Sequence, residues 1–259
     1  MKLAIKVYGE RNSGTNYLEQ LIEENFDVQL LRLQHKWHHM LLLKLVRYDI
    51  IEDLVFFLQR KQILGWKHGC PRLKEVNEYK KSRLAVVTIT KNPYAFLVSL
   101  YRKPYHFKGK VASKFEVFIT QLWVLRGRDN HSTNQVSSPI ELWNIKNRAY
   151  LDLKTKVSCP VINLTYESIL RNPEAELRQL AISLNLEFKG NGRFKNIESS
   201  TKESGSTFKE YQDYYLNSRF MNHFTIDTIE YVNERLDKSI LSSFKYQLVS
   251  SLEEIDDAV

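Results

Sequence analysis

Short apolar runs alternate along the chain with longer segments whose apolar residues recur at helical spacing. The run 84–90 (LAVVTIT) is uncharged and rich in β-branched residues, which predicts a central parallel strand buried on both faces. Further short strands are predicted at 2–8, 28–33, 63–66 and 161–164. Because strands alternate with helices, we expect an α/β protein with a doubly wound parallel sheet flanked by helices.

Capping signals mark where several helices begin. Asn92 and Asn172 are each followed by a proline, which gives an N-cap and a proline at the first helical position. Ser138 is followed by Pro139 and Glu141, the pattern of a capping box. These signals and the helical spacing predict helices that begin at Thr15 and Ser138 and helices over 38–62, 92–102, 115–125, 172–184, 209–217, 227–235 and 237–248. Loops are predicted at 103–114, 127–137 and 190–206.

The composition is that of a folded protein. Of the 259 residues, 43% are hydrophobic and 26% are charged, which excludes global disorder and allows a large core without disulfides. No repeat or linker interrupts the pattern, so residues 1–259 are predicted to form a single domain whose acidic tail, 252–259, is frayed. The net charge of +8 predicts an anionic partner but does not identify it.

The apolar segments are not those of a membrane protein. The first residues lack the pattern of a signal peptide, and the most apolar region, 40–64, carries too many charges for a spanning helix. Cys70 and Cys159 are expected to be reduced thiols without metal-ligating partners. The histidines at 35, 38 and 39 lie on a basic stretch without acids or thiols. We therefore expect a cytoplasmic protein with no integral membrane association and no metal site.

The segment from Gly9 to Thr15 (GERNSGT) has the spacing of a phosphate-binding loop between a strand and a helix. In such a loop the backbone N–H groups point inward at a helix N-terminus, where the helix dipole also favours anions. The Walker pattern has a lysine after the second glycine, but here Gly14 is followed by Thr15, and no Mg²⁺-binding aspartate ends the strand 84–90. The segment indicates a P-loop-like fold poorly equipped for ATP chemistry, or else a turn that binds nothing.

A second signal follows the predicted central strand. Lys91 stands at the carboxyl end of the strand 84–90, and Ser99 lies on the next predicted helix. Ligands of doubly wound sheets bind outside the carboxyl ends of the strands, so a cation and a hydroxyl group there can reach a second phosphate of the same ligand. The alternative is that Lys91 is a solvated surface lysine and Ser99 has no role.

Taken together, these motifs resemble those of sulfotransferases that use 3′-phosphoadenylyl sulfate (PAPS). The segment 9–18 (GERNSGTNYL) resembles their 5′-phosphosulfate loop, Lys91 with Ser99 resembles their 3′-phosphate motif, and 164–174 (LTYESILRNPE) resembles a later strand–helix segment. The resemblance covers roughly residues 3–185. It implies metal-independent transfer of a sulfuryl group from PAPS to a hydroxyl or amine of a small-molecule or carbohydrate acceptor, with adenosine 3′,5′-bisphosphate (3′,5′-ADP) as the product.

The resemblance also implies that the first loop contacts the donor through Arg11, Asn12, Ser13, Gly14, Thr15 and Asn16. The family usually has a lysine or arginine two residues before the loop glycine, and this chain has Asn12 there. Its second motif usually begins with arginine rather than Lys91, and lysine gives up bidentate phosphate recognition. Either Arg11 turns into the site, or Lys67 supplies the missing cation.

The segment 64–69 (LGWKHG) follows a predicted strand and resembles the family strand that carries a lysine and the histidine base. Sulfuryl transfer needs a base near the acceptor oxygen and cations on the leaving oxygen. We predict that His68 is the base and Lys67 the catalytic cation; the alternative is that His68 merely satisfies a turn. The other candidate bases are Glu10, His35 and His106.

Further contacts are predicted in other parts of the chain. The segment 202–209 (KESGSTFK) resembles the loop that closes over the 3′-phosphate and adenine, so Lys202 and Lys209 are predicted cofactor contacts. Arg193 and Lys195 are further candidates. The aromatic residues considered for an acceptor or adenine pocket are Trp66, Tyr105, Phe107 and Trp143. The acceptor walls are expected within 35–62 and 103–137.

Two other classes of function stay open from the sequence. A P-loop kinase or NTPase is disfavoured because Thr15 stands where the Walker lysine belongs. A basic nucleic-acid-binding protein on a degenerate P-loop fold is disfavoured because the basic residues are dispersed and form no nucleic-acid motif, so we expect no nucleic-acid partner. The sequence does not determine the acceptor or the oligomeric state.

Overall fold

The computed structural model describes residues 2–33, 48–107, 109–199 and 206–250, and for 48–52 it describes the backbone alone. Within these ranges the main sheet has four strands, β1 (Ala4–Tyr8), β2 (Gln29–Leu30), β3 (Leu84–Thr90) and β6 (Val161–Thr165). All four are parallel, in the order β2-β1-β3-β6. Every residue of β1 and β3 is buried, which confirms the prediction of a central strand enclosed on both faces.

The helices of the described residues follow the strands in alternation. They are α1 (Thr15–Asn25), α2 (Tyr48–Gln59), α3 (Leu73–Asn77), α4 (Pro93–Arg102), α5 (Phe115–Thr120), α6 (Pro139–Lys156), α7 (Tyr166–Arg171), α8 (Pro173–Leu184), α9 (Phe208–Leu216), α10 (Ile226–Arg235) and α11 (Lys238–Ser243). Short 3₁₀ turns occur at Gly127–Asp129 and Arg219–His223, and an irregular turn at Lys189–Gly192.

Both faces of the sheet are covered by helices. On one face, Ile5 and Val87 pack in a cluster with buried residues of α1, α7 and α8. On the other face, Ala4 and Val86 pack with Tyr150 of α6. The fold is therefore the predicted α/β fold, a doubly wound parallel sheet flanked by helices.

The predicted helix starts are confirmed in atomic detail. The Asn92 side chain accepts hydrogen bonds from the Tyr94 and Ala95 amides at the start of α4. Ser138 accepts one from the Glu141 amide at α6, and Asn172 caps α8 in the same way. Each cap satisfies backbone donors that have no partner inside the helix.

One predicted strand is wrong, and two predicted helices are shorter in the structure. Residues 63–66 form a turn instead of a strand, because Leu64 and Gly65 have φ angles of +56° and +87°, which no strand allows. The helix predicted at 115–125 ends at Thr120, and Trp123–Val124 (β4) then pairs antiparallel with Gln135–Val136 (β5), which was predicted to be loop. The helix predicted at 237–248 ends at Ser243, shortly before the left-handed Lys245.

Some predictions fall outside the described residues. These are the start of the helix 38–62, the histidines at 35, 38 and 39, and the tail 252–259. Among the residues that the structure describes, no helix combines the length and apolar character needed to cross a bilayer. The single-domain organisation and the cytoplasmic location stay predictions.

Candidate functional site

A cavity of about 500 Å³ opens where the chain leaves β1 and β3. The chain continues from β1 to β2 on one side of the sheet and later adds β3 on the other side. This reversal creates a crevice at the carboxyl ends of the strands, where doubly wound folds bind their ligands. Asn12, Gly14 and Asn16 line the cavity from the loop after β1, and Lys91 and Ser99 line it from the segment after β3. The structure thus brings the two predicted phosphate motifs to one space.

The loop after β1 owes its shape to its glycines. Gly14 has a φ angle of +86° as the N-cap of α1, and a Cβ atom there would lie 2.4 Å from the Tyr166 ring. A side chain at Gly9 would lie 2.6 Å from atoms of Ile89. Only glycine fits these two positions, so the requirement is one of space as well as backbone angle. The hydroxyl-bearing Ser13 and Thr15, which were predicted to contact the donor, are buried and are not on the cavity wall.

Lys91 is held in an aromatic cage. Its Nζ lies 4.2 Å from the centre of the Tyr166 ring and 4.0 Å from that of Tyr215, and only 2% of the residue is exposed. The same Nζ is 3.5 Å from the Ser99 hydroxyl, which is 3.0 Å from the Tyr215 hydroxyl. Cation–π contacts of this kind stabilise an ammonium group that has little water around it. Lys91, Ser99 and Tyr215 therefore contact one another where they line the cavity.

Burial changes the acid–base properties around Lys91. Desolvation lowers the pKa of Lys91 to about 7, against the opposing attraction of Glu167. Burial likewise raises the pKa of the Glu167 carboxyl, which accepts hydrogen bonds from the Asn92 amide and the Tyr246 hydroxyl. Burial thus shifts both Lys91 and Glu167 toward their neutral forms.

The sequence interpretation missed most of the remaining cavity wall, apart from Ser206 and Phe208 of the predicted segment 202–209 and Lys103 of the range 103–137 expected for the acceptor walls. The aromatic members of the wall, apart from the two cage tyrosines, are Tyr17, Phe208, Tyr211 and Tyr214, and its basic members beside Lys91 are Arg102, Lys103 and Arg219. Tyr211, Tyr214 and Tyr215 stand three and four positions apart on α9, a spacing that places them on one face of a helix. The sequence shows that these three tyrosines share one face of a helix, but it does not show that this face lines the cavity.

Lys67 and His68 lie in a turn against the start of the loop and are not on the cavity wall. The Lys67 ammonium donates to Asn16 Oδ1 at 2.6 Å and pairs with Glu19 at 2.7 Å. The backbone carbonyl of Lys67 accepts a hydrogen bond from the Gly9 amide. His68 Nδ1 is 2.7 Å from the Gly9 carbonyl oxygen. A carbonyl only accepts, so Nδ1 carries the proton and, in the neutral ring, the basic nitrogen is Nε2.

The other candidate bases are placed less favourably. Nδ1 of His106 accepts a hydrogen bond from the Arg128 guanidinium at 2.8 Å, which uses a lone pair of that ring. Glu10 is 2% exposed and is paired with Arg11 at 2.7 Å. His35 lies outside the described residues.

Arg11 does not turn into the cavity. It is 1% exposed, pairs with Glu10 and Asp129, and lies 4.6 Å over the Trp66 ring. Among the predicted contacts of the C-terminal half, Lys209, Arg193 and Lys195 are exposed and off the cavity wall, and Lys202 lies outside the described residues. The four predicted pocket aromatics are also off this wall, since Trp66 and Trp143 are buried, Phe107 packs on Trp123 and Tyr105 is exposed.

Within the described ranges no three histidine, cysteine, aspartate or glutamate side chains gather in a way that could hold a metal ion. The polar groups on the cavity wall are mainly cations, hydroxyls and amides, with two carboxylates, Glu210 and Asp213, the second of which is paired with Arg219 at 2.7 Å. Cations, hydroxyls and amides bind anionic oxygens through hydrogen bonds and charge. The cavity is therefore suited to a ligand with more than one anionic group and an aromatic part.

Two solved structures are similar to this one. The sulfotransferase domain from the Synechococcus PCC 7002 olefin synthase aligns with a TM-score of 0.49 and 14% sequence identity, over 95% of this chain and 95% of that chain. The sulfotransferase domain from the curacin biosynthetic pathway aligns with a TM-score of 0.39 and 12% identity, over 99% of this chain and 96% of that chain. No protein-family model and no curated protein matches the chain. At these values the comparisons say nothing of donor or acceptor, and we base the function on the residues of the cavity.

Proposed function

We propose that the protein is a sulfotransferase that takes a sulfuryl group from PAPS and transfers it to a hydroxyl or amine of a small-molecule or carbohydrate acceptor. The observation that carries the proposal is that the lysine-free phosphate loop and the Lys91–Ser99 pair line one cavity of about 500 Å³. Two separate phosphate-binding elements on one cavity suit a nucleotide with phosphates at both ends of its ribose.

The residues present fit such a donor. Lys91 and Ser99 are the groups for the 3′-phosphate, with Arg102 on the same cavity wall. Backbone amides at the N-terminus of α1, beside Asn12 and Gly14, are the groups for the 5′ end. The aromatic side chains of α9 and Tyr17 offer flat apolar surface for a base. Lys202 and Lys209 stay predicted contacts.

In the proposed reaction the donor supplies the sulfuryl group, whose bond to the 5′-phosphate oxygen breaks as the acceptor oxygen or nitrogen bonds to sulfur. His68 lies off the cavity wall, in the turn whose Lys67 contacts Asn16 on that wall, and is the proposed base; the acceptor's proton goes to Nε2 because Nδ1 donates to the Gly9 carbonyl. Lys67, which is also paired with Glu19, is the cation proposed in place of the one absent at Asn12. Arg11 supports the loop through its ion pairs with Glu10 and Asp129.

Isothermal titration calorimetry with 3′,5′-ADP tests the proposal. We expect binding without Mg²⁺, weakened at least tenfold by Lys91→Met, since a charge-assisted contact to phosphate is lost. Lys74→Met is the matched control, because Lys74 is exposed and paired only loosely with Glu78 at 3.9 Å. Binding of Mg-ATP in place of 3′,5′-ADP would instead support a P-loop kinase or NTPase. Binding of duplex or single-stranded DNA alone, with a steep salt dependence, would support the nucleic-acid alternative.

A further inference from the structure

Behind the phosphate loop, four buried charged residues form a closed arrangement, which we call the charge ring: Glu10, Arg11, Asp129 and Lys146. Arg11 pairs with Glu10 at 2.7 Å and with both oxygens of Asp129 at 3.1 Å. Lys146 pairs with Asp129 at 2.7 Å and lies 3.8 Å from the second oxygen of Glu10, which closes the ring. Each of the four residues is at most 2% exposed.

The charge ring joins chain segments that are far apart in sequence. Glu10 and Arg11 belong to the phosphate loop, Asp129 to the 3₁₀ turn Gly127–Asp129, and Lys146 to α6. Glu10 also accepts a hydrogen bond from the Arg11 backbone amide at 2.6 Å, so the ring fixes the loop backbone itself. The ring therefore links the loop to the 3₁₀ turn and to α6.

Lys146 extends the charge ring to the turn that carries Lys67 and His68. Its ammonium donates to the His68 carbonyl at 2.8 Å, and the Cys70 amide donates to the Asp129 carbonyl at 2.7 Å. The Gly9 amide in turn donates to the Lys67 carbonyl at 2.9 Å. The phosphate loop and the predicted catalytic turn are thus connected both directly and through the ring.

Stability alone does not account for such an arrangement. Desolvation of buried ions offsets most of their attraction, and apolar residues of similar volume often stabilise a fold as well or better. The pairing is nevertheless strong, because Asp129, whose pKa burial would raise, is held at a pKa of about 2 by Arg11 and Lys146. What buried charges provide and apolar groups do not is a fixed direction for each contact.

We propose that the charge ring is a positioning device that holds the phosphate loop in register with the Lys67–His68 turn and so shapes the site for the 5′ end of the nucleotide. This rests on the proposed function, which assigns the loop to that end. Lys91 and Ser99, which we assign to the 3′-phosphate, are held by Tyr166 and Tyr215 instead. Disturbing the ring should therefore affect the two ends of the nucleotide unequally.

The test measures the dissociation constant of 3′-AMP divided by that of 3′,5′-ADP. This ratio gives the contribution of the 5′-phosphate to binding, and the measurement needs no acceptor. Glu10→Gln/Lys146→Met removes one charge of each sign and leaves the Arg11–Asp129 pair. Lys156→Met is the control on the same helix, because Lys156 is half exposed and pairs with Asp152. Glu10→Gln alone is a nearly isosteric change, and the same ratio is measured on this variant if the double variant does not fold.

We expect the ratio to fall at least tenfold in the double variant and clearly in Glu10→Gln, while 3′-AMP binds within about twofold of the wild type. Lys156→Met should change neither constant. An unchanged ratio in a folded variant, or equal weakening of both nucleotides, would overturn the positioning role. Wild-type protein that gains nothing from the 5′-phosphate would contradict the proposed function instead, before any variant is compared.

Discussion

At the scale of single residues, Lys91 shows how the fold changes the chemistry of a side chain. A free lysine is charged at any physiological pH, but here burial between two tyrosine rings lowers the pKa of Lys91 to about 7. A phosphate dianion in the cavity would favour the charged form and raise that pKa again. Nucleotide binding at Lys91 should therefore be coupled to the uptake of a proton.

We predict that the affinity for 3′,5′-ADP falls as the pH rises from 7 to 9, by at most about tenfold per unit. The sign follows because rising pH removes the proton from free Lys91, whereas the second pKa of phosphate, about 6, is already passed. Glu167, which faces Lys91, opposes the loss of the proton only in part. Calorimetry at pH 8 in buffers of different ionisation enthalpy should show proton uptake.

The matched variant for this prediction is Lys91→Arg, which stays charged throughout the range. We expect it to bind 3′,5′-ADP with little dependence on pH and without proton uptake. Wild-type affinity that is flat between pH 7 and 9 would contradict the prediction.

His68 offers a second prediction at this scale. Its ring donates to the Gly9 carbonyl and does not line the cavity, so His68→Ala should leave the affinity for 3′,5′-ADP nearly unchanged. Sulfuryl transfer should fall about 10²- to 10⁴-fold, the usual contribution of a general base. Transfer from labelled PAPS to an acceptor found by screening a panel measures the effect. His131→Ala, a change to a ring that bonds locally with Thr133, is the control, and equal activity of the two variants would require a different base.

At the scale of elements, the sequence predicted best where a local signal decides. The caps Asn92, Ser138 and Asn172 are used as predicted, because a side chain and an amide two or three residues away need no distant partner. Residues 63–66 were predicted to form a strand because they are mostly apolar. They are indeed buried, but the positive φ angles of Leu64 and Gly65 make the segment a turn. Burial and apolar pattern are shared by strands and buried turns, so the pattern alone does not separate them.

The cap of α4 gives a prediction for an element. Asn92→Ala removes the acceptor of the Tyr94 and Ala95 amides and should lower the free energy of unfolding by about 1 kcal/mol in urea denaturation. Because α4 carries Ser99, the affinity for 3′,5′-ADP should fall as well. Asn172→Ala removes the cap of α8, which is off the cavity wall, and should cost similar stability but leave the affinity unchanged. Equal affinities of the two variants would contradict the link between α4 and the cavity.

At the scale of the whole molecule, we expect the buried Lys6 and Lys91 to contribute to the pH dependence of stability. Lys6 lies in the middle of β1, 1% exposed, and donates to the Gly65 carbonyl at 2.7 Å. Burial lowers its pKa to about 7, with Glu19 opposing the shift. In the unfolded chain lysine keeps its proton up to about pH 10.4, so above pH 7 the unfolded state binds more protons than the native state.

We predict that the free energy of unfolding rises between pH 7 and 8, the range below the ionisation of unfolded cysteine near pH 8.5, since burial raises the pKa of Cys70 and Cys159 and their effect has the opposite sign. Lys6→Met should flatten that rise, and Lys74→Met, a change to an exposed lysine, should not. Urea denaturation across this pH range measures both. A stability that is constant or falls over the range in the wild type would show that the buried lysines are not the controlling groups.

The sequence by itself determined the parallel α/β sheet, the helix starts and the loop that ends at Gly14, because each depends on neighbouring residues or on a short periodic pattern. It also singled out Lys91 and Ser99, which lie on one strand–helix connection. Only the tertiary structure decided that Arg11 pairs with Asp129 instead of turning into the cavity, and that Tyr215 joins Lys91 and Ser99. Arg11 and Asp129 are 118 residues apart, and Ser99 and Tyr215 are 116 residues apart; such contacts are fixed by the packing of helices on the sheet, which no local pattern encodes.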